Sequence, residues 1–236
     1  MNVYDCPQGG DEWLALRLGI PTSSCFDKIL TPKTLELSKS SRPYMCQLLA
    51  EWMYGAPLEA FVSPWMERGK DLEAEAVRYY ELARECDTEA VGFVTTDDGM
   101  IGASPDRLAG ADGVVELKCP ELKTHVGYML EPESLLVEYR MQVQGQLWVC
   151  ERQWADMQSY YPGFPAVLLR AQRDEKVIAA LEKHVSSFAQ VMLAARAKLT
   201  EMYGELRRER ITAEQVTEGS RAAFDAFMDS PIGGTV

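Results

Sequence analysis

Two carboxylates and a lysine in the middle of the chain are residue types that could hydrolyse a phosphodiester with the help of a metal ion. Asp106 lies in the segment SPDRL, and Glu116 and Lys118 lie in ELKCP. A turn rich in Gly and Asp separates the two segments, which predicts a hairpin with Asp106 beside Glu116. Carboxylates this close repel each other unless a cation lies between them, and hard oxygen ligands suit Mg²⁺ or Mn²⁺. Glu116 and Lys118 would share one face of a strand, where the lysine could hold or activate a water next to the metal.

Each part of this motif also has a simpler interpretation. A Glu-x-Lys pair on an exposed strand is usually a solvated face, and Ser-Pro-Asp is usually a turn. The combination is much more specific than either part, because Asp106 precedes a predicted hairpin and Cys-Pro follows Lys118. We therefore interpret the three residues as one site.

The combination of SPDRL with ELKCP resembles the PD-(D/E)xK nuclease superfamily, and in particular the bacteriophage lambda exonuclease or YqaJ-like viral recombinase family. The resemblance extends from Gly10 to Lys176. It implies a Mg²⁺-dependent 5′→3′ exonuclease that digests one strand of double-stranded DNA from an end. The product would be a 3′ single strand for homologous recombination.

The resemblance also implies the roles of the central residues. Asp106, Glu116 and the backbone carbonyl of Leu117 would hold metal. Lys118 would position and activate the attacking water. Glu73 would assist on a second ion, so the expected cofactor is a pair of Mg²⁺ ions, with Mn²⁺ as a substitute.

Glu73 and Gln142 complete the expected catalytic site by the same resemblance. The family carries W-G-x-x-x-E where this chain has Arg68 to Glu73, so an arginine replaces the tryptophan. The stretch MQVQGQLW, which contains Gln142, resembles the family's Q-V-Q-x-x-x-W helix. A buried amide there would orient Lys118 or a metal-bound water. Without the resemblance, a glutamate on a charged helix or a glutamine on an amphipathic one is usually solvent-facing.

Arg17, Ser24 and Ser104 are expected to bind a DNA 5′-phosphate, again by resemblance. LRLG followed by Thr-Ser-Ser looks like the family's phosphate-pocket segment, and Ser104 stands just ahead of Asp106. Hydroxyls, helix N-terminal amides and an arginine fork bind such a dianion well. Without the resemblance, Arg17 would be interpreted as a surface charge.

Two further assignments come from position in the family pattern. The family places an additional arginine six residues after the catalytic lysine, where this chain has Thr124. The neighbouring Lys123 is the expected substitute in the phosphate pocket. Met66 takes the position of an apolar residue that wedges between the strands at the duplex end, although a core role for Met66 fits the sequence equally well.

Composition limits the classes of protein that fit. The chain has 236 residues and a net charge of −12, which argues against a protein that coats nucleic acid non-specifically but permits a basic cleft. Its six cysteines are widely spaced and are interpreted as free thiols. With no signal peptide and no apolar run of membrane-spanning length, we expect a cytoplasmic protein. The resemblance implies a bacterial host and a phage or prophage gene. It also implies that the protein forms a homotrimer and has a single-strand annealing protein as a partner.

Hydrophobic periodicity predicts one α/β domain over residues 1–236, with a less certain C-terminal tail from about 211. Its centre would be a mixed sheet of about five strands flanked by helices. The predicted helices span 11–18, 22 to about 30, 42–54, 65 to about 85, 121 to about 130, 133–150, 174 to about 210 and 220–228. The predicted strands span 90–96, 114–118, 153–161 and 166–171, and residues 31–41 are predicted to form a mobile loop.

Two other functions remain open at this point. One is a related nuclease of different specificity, either an endonuclease or a single-strand nuclease. The other is a non-catalytic protein that binds DNA ends during recombination. The intact set of Asp106, Glu116 and Lys118 favours an enzyme over the second.

Overall fold

A five-stranded mixed sheet carries the central motif in the computed structural model, which describes residues 1–58 and 64–204. The strands lie in the order β2-β5-β6-β7-β8. Their bounds are Glu89–Ala90 (β2), Arg107–Ala109 (β5), Gly113–Lys118 (β6), Trp154–Ser159 (β7) and Val167–Gln172 (β8). β6 and β7 are parallel, and the other neighbours are antiparallel. The predicted mixed sheet with flanking helices is confirmed.

A second, three-stranded sheet lies in the order β1-β3-β4, with bounds Asn2–Tyr4, Phe93–Thr95 and Gly102–Ala103. The prediction of one strand over 90–96 is therefore wrong, because β2 and β3 belong to different sheets. The chain changes sheets at Gly92, where a Cβ atom would lie 2.2 Å from the carbonyl oxygen of Cys6. Only a glycine allows this close approach of two backbone segments.

Eight α-helices surround the sheets in the described part of the chain. They are α1 Asp11–Arg17, α2 Phe26–Ile29, α3 Ser41–Tyr54, α4 Pro64–Arg84, α5 Leu122–Leu130, α6 Glu133–Glu138, α7 Arg140–Val149 and α8 Glu175–Tyr203. None of the described helices is long and apolar enough to cross a membrane. All six cysteines are free thiols.

Most predicted helices form within a few residues of their expected bounds, but three differ. The predicted helix over 133–150 is interrupted at Tyr139, whose φ of −98° and ψ of 13° leave the helical region. The segment predicted as a helix from 22 to about 30 is a 3-10 turn, Ser23–Cys25, followed by the short α2. The helix predicted to reach about 210 ends at Tyr203, and Gly204 follows with a φ of +80°. The predicted helix over 220–228 and the rest of the tail from 205 onwards lie outside the described residues.

Helices cover both faces of β6, which makes it the buried centre of the molecule. Val115 and Leu117 face α4 and pack with its Ala76 and Tyr80. Val114 faces the other way and packs with residues of α7. The alternation of the strand therefore directs Glu116 and Lys118 toward α7. The main apolar cluster lies beyond α7, where α2, α3 and α8 pack together.

A buried carboxylate attaches α4 to the sheet. Asp156 of β7 is fully buried, and its oxygens accept hydrogen bonds from Tyr80 and Arg170. Arg84, near the end of α4, forms an ion pair with the same carboxylate at 3.1 Å. A buried charge paired by two arginines fixes the register between the helix and the strands. This contact holds α4, which carries Glu73, over the sheet.

Candidate active site

The hairpin of β5 and β6 places Asp106 beside the end of β6, as predicted. Arg107 pairs with Val115, so Asp106 stands opposite Glu116 at the point where β5 begins. Beyond that point the edge of β6 has no backbone partner from β5, and Asp106 Oδ2 instead accepts the Leu117 N–H at 2.6 Å.

The backbone carbonyl of Leu117 faces the same edge. The Lys118 carbonyl accepts the Tyr160 N–H at 2.8 Å on the side of β7. Successive residues of a strand direct their backbone groups to opposite edges, so the Leu117 carbonyl points toward Asp106. The Asp106 carboxylate and the Leu117 carbonyl therefore lie at the open edge of β6, and the Glu116 carboxylate lies on the adjoining face toward α7.

Glu116 is almost completely buried, with 2% of its surface exposed, and both of its oxygens have donors. Oε1 accepts from Lys118 Nζ at 2.6 Å and from the amide of Gln142 at 2.5 Å. Oε2 accepts from the amide of Gln146 at 2.6 Å. The two glutamines are one turn apart on α7, so one helix face fixes the carboxylate.

Gln146 was missed by the sequence reasoning, although its spacing of four residues from Gln142 would have indicated a shared helix face. Gln144, between them, points away from the site. It donates to the carbonyl of Gln172 at 2.8 Å and accepts the Asp174 N–H at 2.9 Å.

Lys118 is held as a cation at this site. Its ammonium lies 4.6 Å from the centre of the Tyr139 ring and 3.5 Å from Gln142 Oε1. Burial would lower the pKa of Lys118, but the charges of Glu116 and Asp106 raise the pKa above its ordinary value. The ammonium can therefore orient a water and stabilise negative charge.

The Asp106 carboxyl lies in an environment that opposes its ionisation. Its burial, followed by the charge of Glu116, raises the pKa of Asp106 well above its ordinary value. Glu73 of α4 contributes to the same rise, which places its exposed side chain near the pair. A site where like charges raise a carboxyl pKa gains most from a bound cation.

The donor set fits a hard divalent cation. Two carboxylates and a backbone carbonyl are the oxygen ligands that such ions prefer. Among the side chains that the structure describes, no three of His, Cys, Asp or Glu form a metal cluster. The Lys118 ammonium contacts a Glu116 oxygen that a metal would use.

A second group of predicted residues meets around Arg17. Its guanidinium donates to Ser104 Oγ at 3.2 Å and lies 3.4 Å from Thr22 Oγ1. Thr22 Oγ1 is 3.3 Å from Ser24 Oγ, so Ser24 joins the group through a threonine that the sequence reasoning did not assign. Trp13 packs under the guanidinium at 4.1 Å and donates to Ser104 Oγ.

This group has the properties of an anion site. Arg17 is half-buried, and this burial lowers the pKa of its guanidinium. In the described part of the chain, Arg17 forms no ion pair with a carboxylate. A half-buried cation surrounded by hydroxyls suits an anionic ligand. Ser104 is two residues before Asp106, so the group adjoins the carboxylate pair.

The structure does not bring Lys123 into these groups. Lys123 is exposed on α5 and makes no hydrogen bond or ion pair with the described residues, Arg17, Ser24 and Ser104 included. Met66 lies in α4, and its side chain falls outside the described part.

Comparisons with known proteins identify similar folds and sequences. The model of the YqaJ-like viral recombinase domain matches residues 12–153. An alkaline exonuclease, LHK-Exo from Laribacter hongkongensis, is 30% identical in sequence and has a TM-score of 0.74, covering 84% of this chain and 100% of that chain. The structure of LHK-Exo in complex with dAMP matches with the same values.

A phage related exonuclease from Haemophilus somnus 129PT shares the fold. It has a TM-score of 0.60 at 14% identity, covering 76% of this chain and 96% of that chain. No curated protein matches the chain in sequence.

Proposed function

Because the chain belongs to the YqaJ-like viral recombinase family, as its two central motifs predicted, we propose that it is a Mg²⁺-dependent 5′→3′ exonuclease. It would digest one strand of double-stranded DNA from an end and leave a 3′ single strand for homologous recombination. The similarity to an alkaline exonuclease at 30% identity supports a DNA exonuclease. The observation that carries the proposal is the meeting of Asp106, Glu116 and Lys118 around the end of β6.

Asp106, Glu116 and the Leu117 carbonyl would hold one ion, and the exposed Glu73 would contribute to a second. When bound, Mg²⁺ supplies Lewis-acid stabilisation of the charge on the scissile phosphate and the leaving oxygen. Mn²⁺ would substitute because it prefers the same oxygen ligands.

The protein's own residues would position the attacking water and stabilise the charge that develops on the phosphate. The Lys118 ammonium, fixed by Glu116 and by the Tyr139 ring, would donate to the attacking water and hold it in line with the phosphate. Gln142 would restrict the lysine from the α7 side, and Gln146 would keep Glu116 oriented. The same ammonium would stabilise negative charge that develops on the phosphate oxygens.

The group around Arg17 would set the polarity of digestion. A terminal 5′-phosphate bound by Arg17, Ser24 and Ser104 would lie next to the carboxylate pair, because Ser104 and Asp106 are on one short segment. Only a strand with a phosphate at its 5′ end would fill the pocket and, at the same time, reach the catalytic residues. Lys123, exposed on α5, remains a predicted additional contact.

The assembly and partners follow from charge and from the family resemblance. A protein with a net charge of −12 needs its basic groups concentrated where DNA passes, and a homotrimeric ring would enclose the substrate without an attractive exterior. The acidic exterior would suit docking of a single-strand annealing protein. The enzyme would act in the cytoplasm of a bacterial host.

One digestion experiment tests the proposal against its alternatives. Linear duplexes with 5′-phosphate or 5′-hydroxyl ends, a closed circular duplex and a single strand are incubated with the protein in Mg²⁺ or in EDTA. We expect Mg²⁺-dependent digestion of the linear duplexes, fastest with 5′-phosphate, and an intact circle. Nicking of the circle would indicate an endonuclease, and DNA binding without any digestion would indicate an end-binding protein.

A further inference from the structure

Arg68 of α4 carries a charge that the described protein does not neutralise. Its Nη1 atom is buried and has no hydrogen-bond partner among the residues whose side chains the structure describes. The guanidinium forms no ion pair with any described carboxylate. A buried donor on a charged group without an acceptor is costly, so such an atom indicates a missing ligand.

Contacts around Arg68 fix the direction of the guanidinium. Its central carbon lies 4.4 Å from the centre of the Tyr161 ring. Tyr161 is itself held by packing on His125 at 6.2 Å and on Phe164 at 5.7 Å between ring centres. A guanidinium that packs over a tyrosine ring keeps N–H groups available at its edge, and these can bind phosphate oxygens.

Arg68 also lies beside the catalytic end of β6. Tyr161, on which Arg68 packs, directly follows Tyr160, whose N–H donates to the carbonyl of Lys118 at 2.8 Å. Because no described residue accepts a bond from Arg68 Nη1, a phosphate of the substrate is an acceptor that suits this position.

We propose that Arg68 binds a backbone phosphate of the DNA next to the scissile one and so positions the strand over Lys118. This inference rests on the proposed function. It adds a phosphate contact that is separate from the terminal-phosphate group, since Arg17 is on α1 and is held by Ser104 and Thr22.

The test compares Arg68→Met and Arg68→Lys with the wild type. Arg78→Met is the matched control, since Arg78 is exposed on the same helix and, among the described residues, donates a hydrogen bond only to the carbonyl of Ala74. Binding of a 5′-phosphorylated duplex is measured by fluorescence anisotropy over a series of KCl concentrations. Ca²⁺ replaces Mg²⁺ to limit cleavage, and the melting temperature of each variant is measured without DNA.

We expect Arg68→Met to bind DNA about five- to tenfold more weakly and to reduce the slope of log K against log salt by about 0.7–0.9, the value for one phosphate contact. Its melting temperature without DNA should equal or exceed that of the wild type, because the variant removes an unsatisfied buried donor and keeps an apolar contact with Tyr161. Arg68→Lys should keep the salt slope, and Arg78→Met should behave as the wild type.

A purely structural role of Arg68 gives a different result. Arg68→Met would then melt at a lower temperature and retain the wild-type salt slope, which would overturn the inference. Should Arg68→Met not fold, a wild-type salt slope together with a lowered melting temperature in Arg68→Lys would do the same. Wild-type protein that binds DNA but does not digest it in Mg²⁺ would refute the proposed exonuclease and leave the Arg68 contact standing. Wild-type protein that binds no DNA would overturn both.

Discussion

Lys118 Nζ lies 2.6 Å from Glu116 Oε1, and the two side chains leave the same face of β6. The Glu116 carboxylate would bind the metal, and the Lys118 ammonium would compete with the metal for the same carboxylate oxygen. Occupation of the site would therefore shift Lys118 from Glu116 toward the position of the water. The fixed partners Gln142 and Tyr139 keep the lysine close while it changes contacts.

Replacement of Lys118 by alanine should abolish most activity without unfolding the protein. Loss of the group that positions the attacking water typically reduces a rate by roughly 10²- to 10⁴-fold. Lys176→Ala, at an exposed position of α8, is the control. Single-turnover digestion and thermal melting of both variants would measure this. Near-normal turnover by a well-folded Lys118→Ala protein would refute the assigned role.

Gln146 should matter for catalysis, whereas Gln144 should matter only for stability. Both glutamines are buried on α7, but Gln146 donates to Glu116 and Gln144 bonds to Gln172 and Asp174. Substitution of either by leucine leaves a buried partner unsatisfied and should lower the free energy of unfolding by about 1–3 kcal/mol.

Only Gln146→Leu should also raise the Mg²⁺ concentration needed for half-maximal activity, by roughly 10- to 100-fold, as expected for a residue that orients a metal ligand. Chemical denaturation and Mg²⁺ titrations of the two variants provide the comparison. Equal Mg²⁺ requirements in both variants would show that Gln146 does not support the metal site.

The central motif could be predicted from sequence because its geometry is local. The turn between Asp106 and Glu116 forces a hairpin, and strand alternation directs Glu116 and Lys118 to one face. Arg17 and Ser104 are 87 residues apart, and their contact was expected only through the family resemblance. No local rule brings α1 to the segment before Asp106.

The errors of prediction arose where distant contacts override local pattern. Residues 90–96 look like one β-rich strand, but the packing of Gly92 on Cys6 divides them between two sheets. Residues 133–150 look like one helix, but Tyr139 interrupts it and its ring lies over Lys118. In both places the interruption adjoins the candidate site, and the sequence contains no proline to mark it.

Removal of the Asp106 charge should stabilise the metal-free protein. Burial and the charge of Glu116 make ionised Asp106 unfavourable in the fold, and they raise its pKa. In EDTA at pH 8, Asp106→Asn should therefore melt at a higher temperature than the wild type. Added Mg²⁺ should raise the melting temperature of the wild type and have little effect on the variant. Asp112→Asn, at the exposed tip of the same hairpin, is the control. An equal response to Mg²⁺ in all three proteins would mean that Asp106 is not a ligand.

The N-cap of α8 should give acid-sensitive stability. Asp174 accepts the N–H groups of Lys176 and Val177 and a bond from Arg140. Burial opposes these bonds, but the bonds from Val177 and Arg140 lower the pKa of Asp174 below its ordinary 3.8. The ionised carboxylate therefore contributes its full stability above about pH 4, and the contribution is lost as the pH falls through the lower pKa of the folded state.

Asp174→Ala should cost about 1 kcal/mol of unfolding free energy at pH 7. The difference from the wild type should shrink as the pH is lowered below 3. Urea denaturation at several pH values measures it, with Glu182→Ala, at an exposed position of the same helix, as the control. A difference that stays constant with pH would argue against the cap.

Arg17 should distinguish phosphorylated from unphosphorylated ends. A charge-assisted contact is worth about 1.5–3 kcal/mol, so Arg17→Gln should slow digestion of 5′-phosphorylated duplex by roughly 10- to 150-fold. Digestion of a 5′-hydroxyl duplex should change little, because that end offers no dianion to the guanidinium.

Ser104→Ala should show a smaller loss of the same kind, since it removes one neutral hydroxyl from the group.

Lys123→Gln tests whether this lysine replaces the family's additional arginine. Because Lys123 contacts none of the pocket residues, its loss should be smaller than that of Arg17→Gln. The initial rates of digestion of the 5′-phosphorylated and 5′-hydroxyl duplexes, measured side by side for each variant, test these expectations. If Arg17→Gln slows both ends equally, Arg17 does not bind the terminal phosphate, and the polarity of digestion must be set elsewhere.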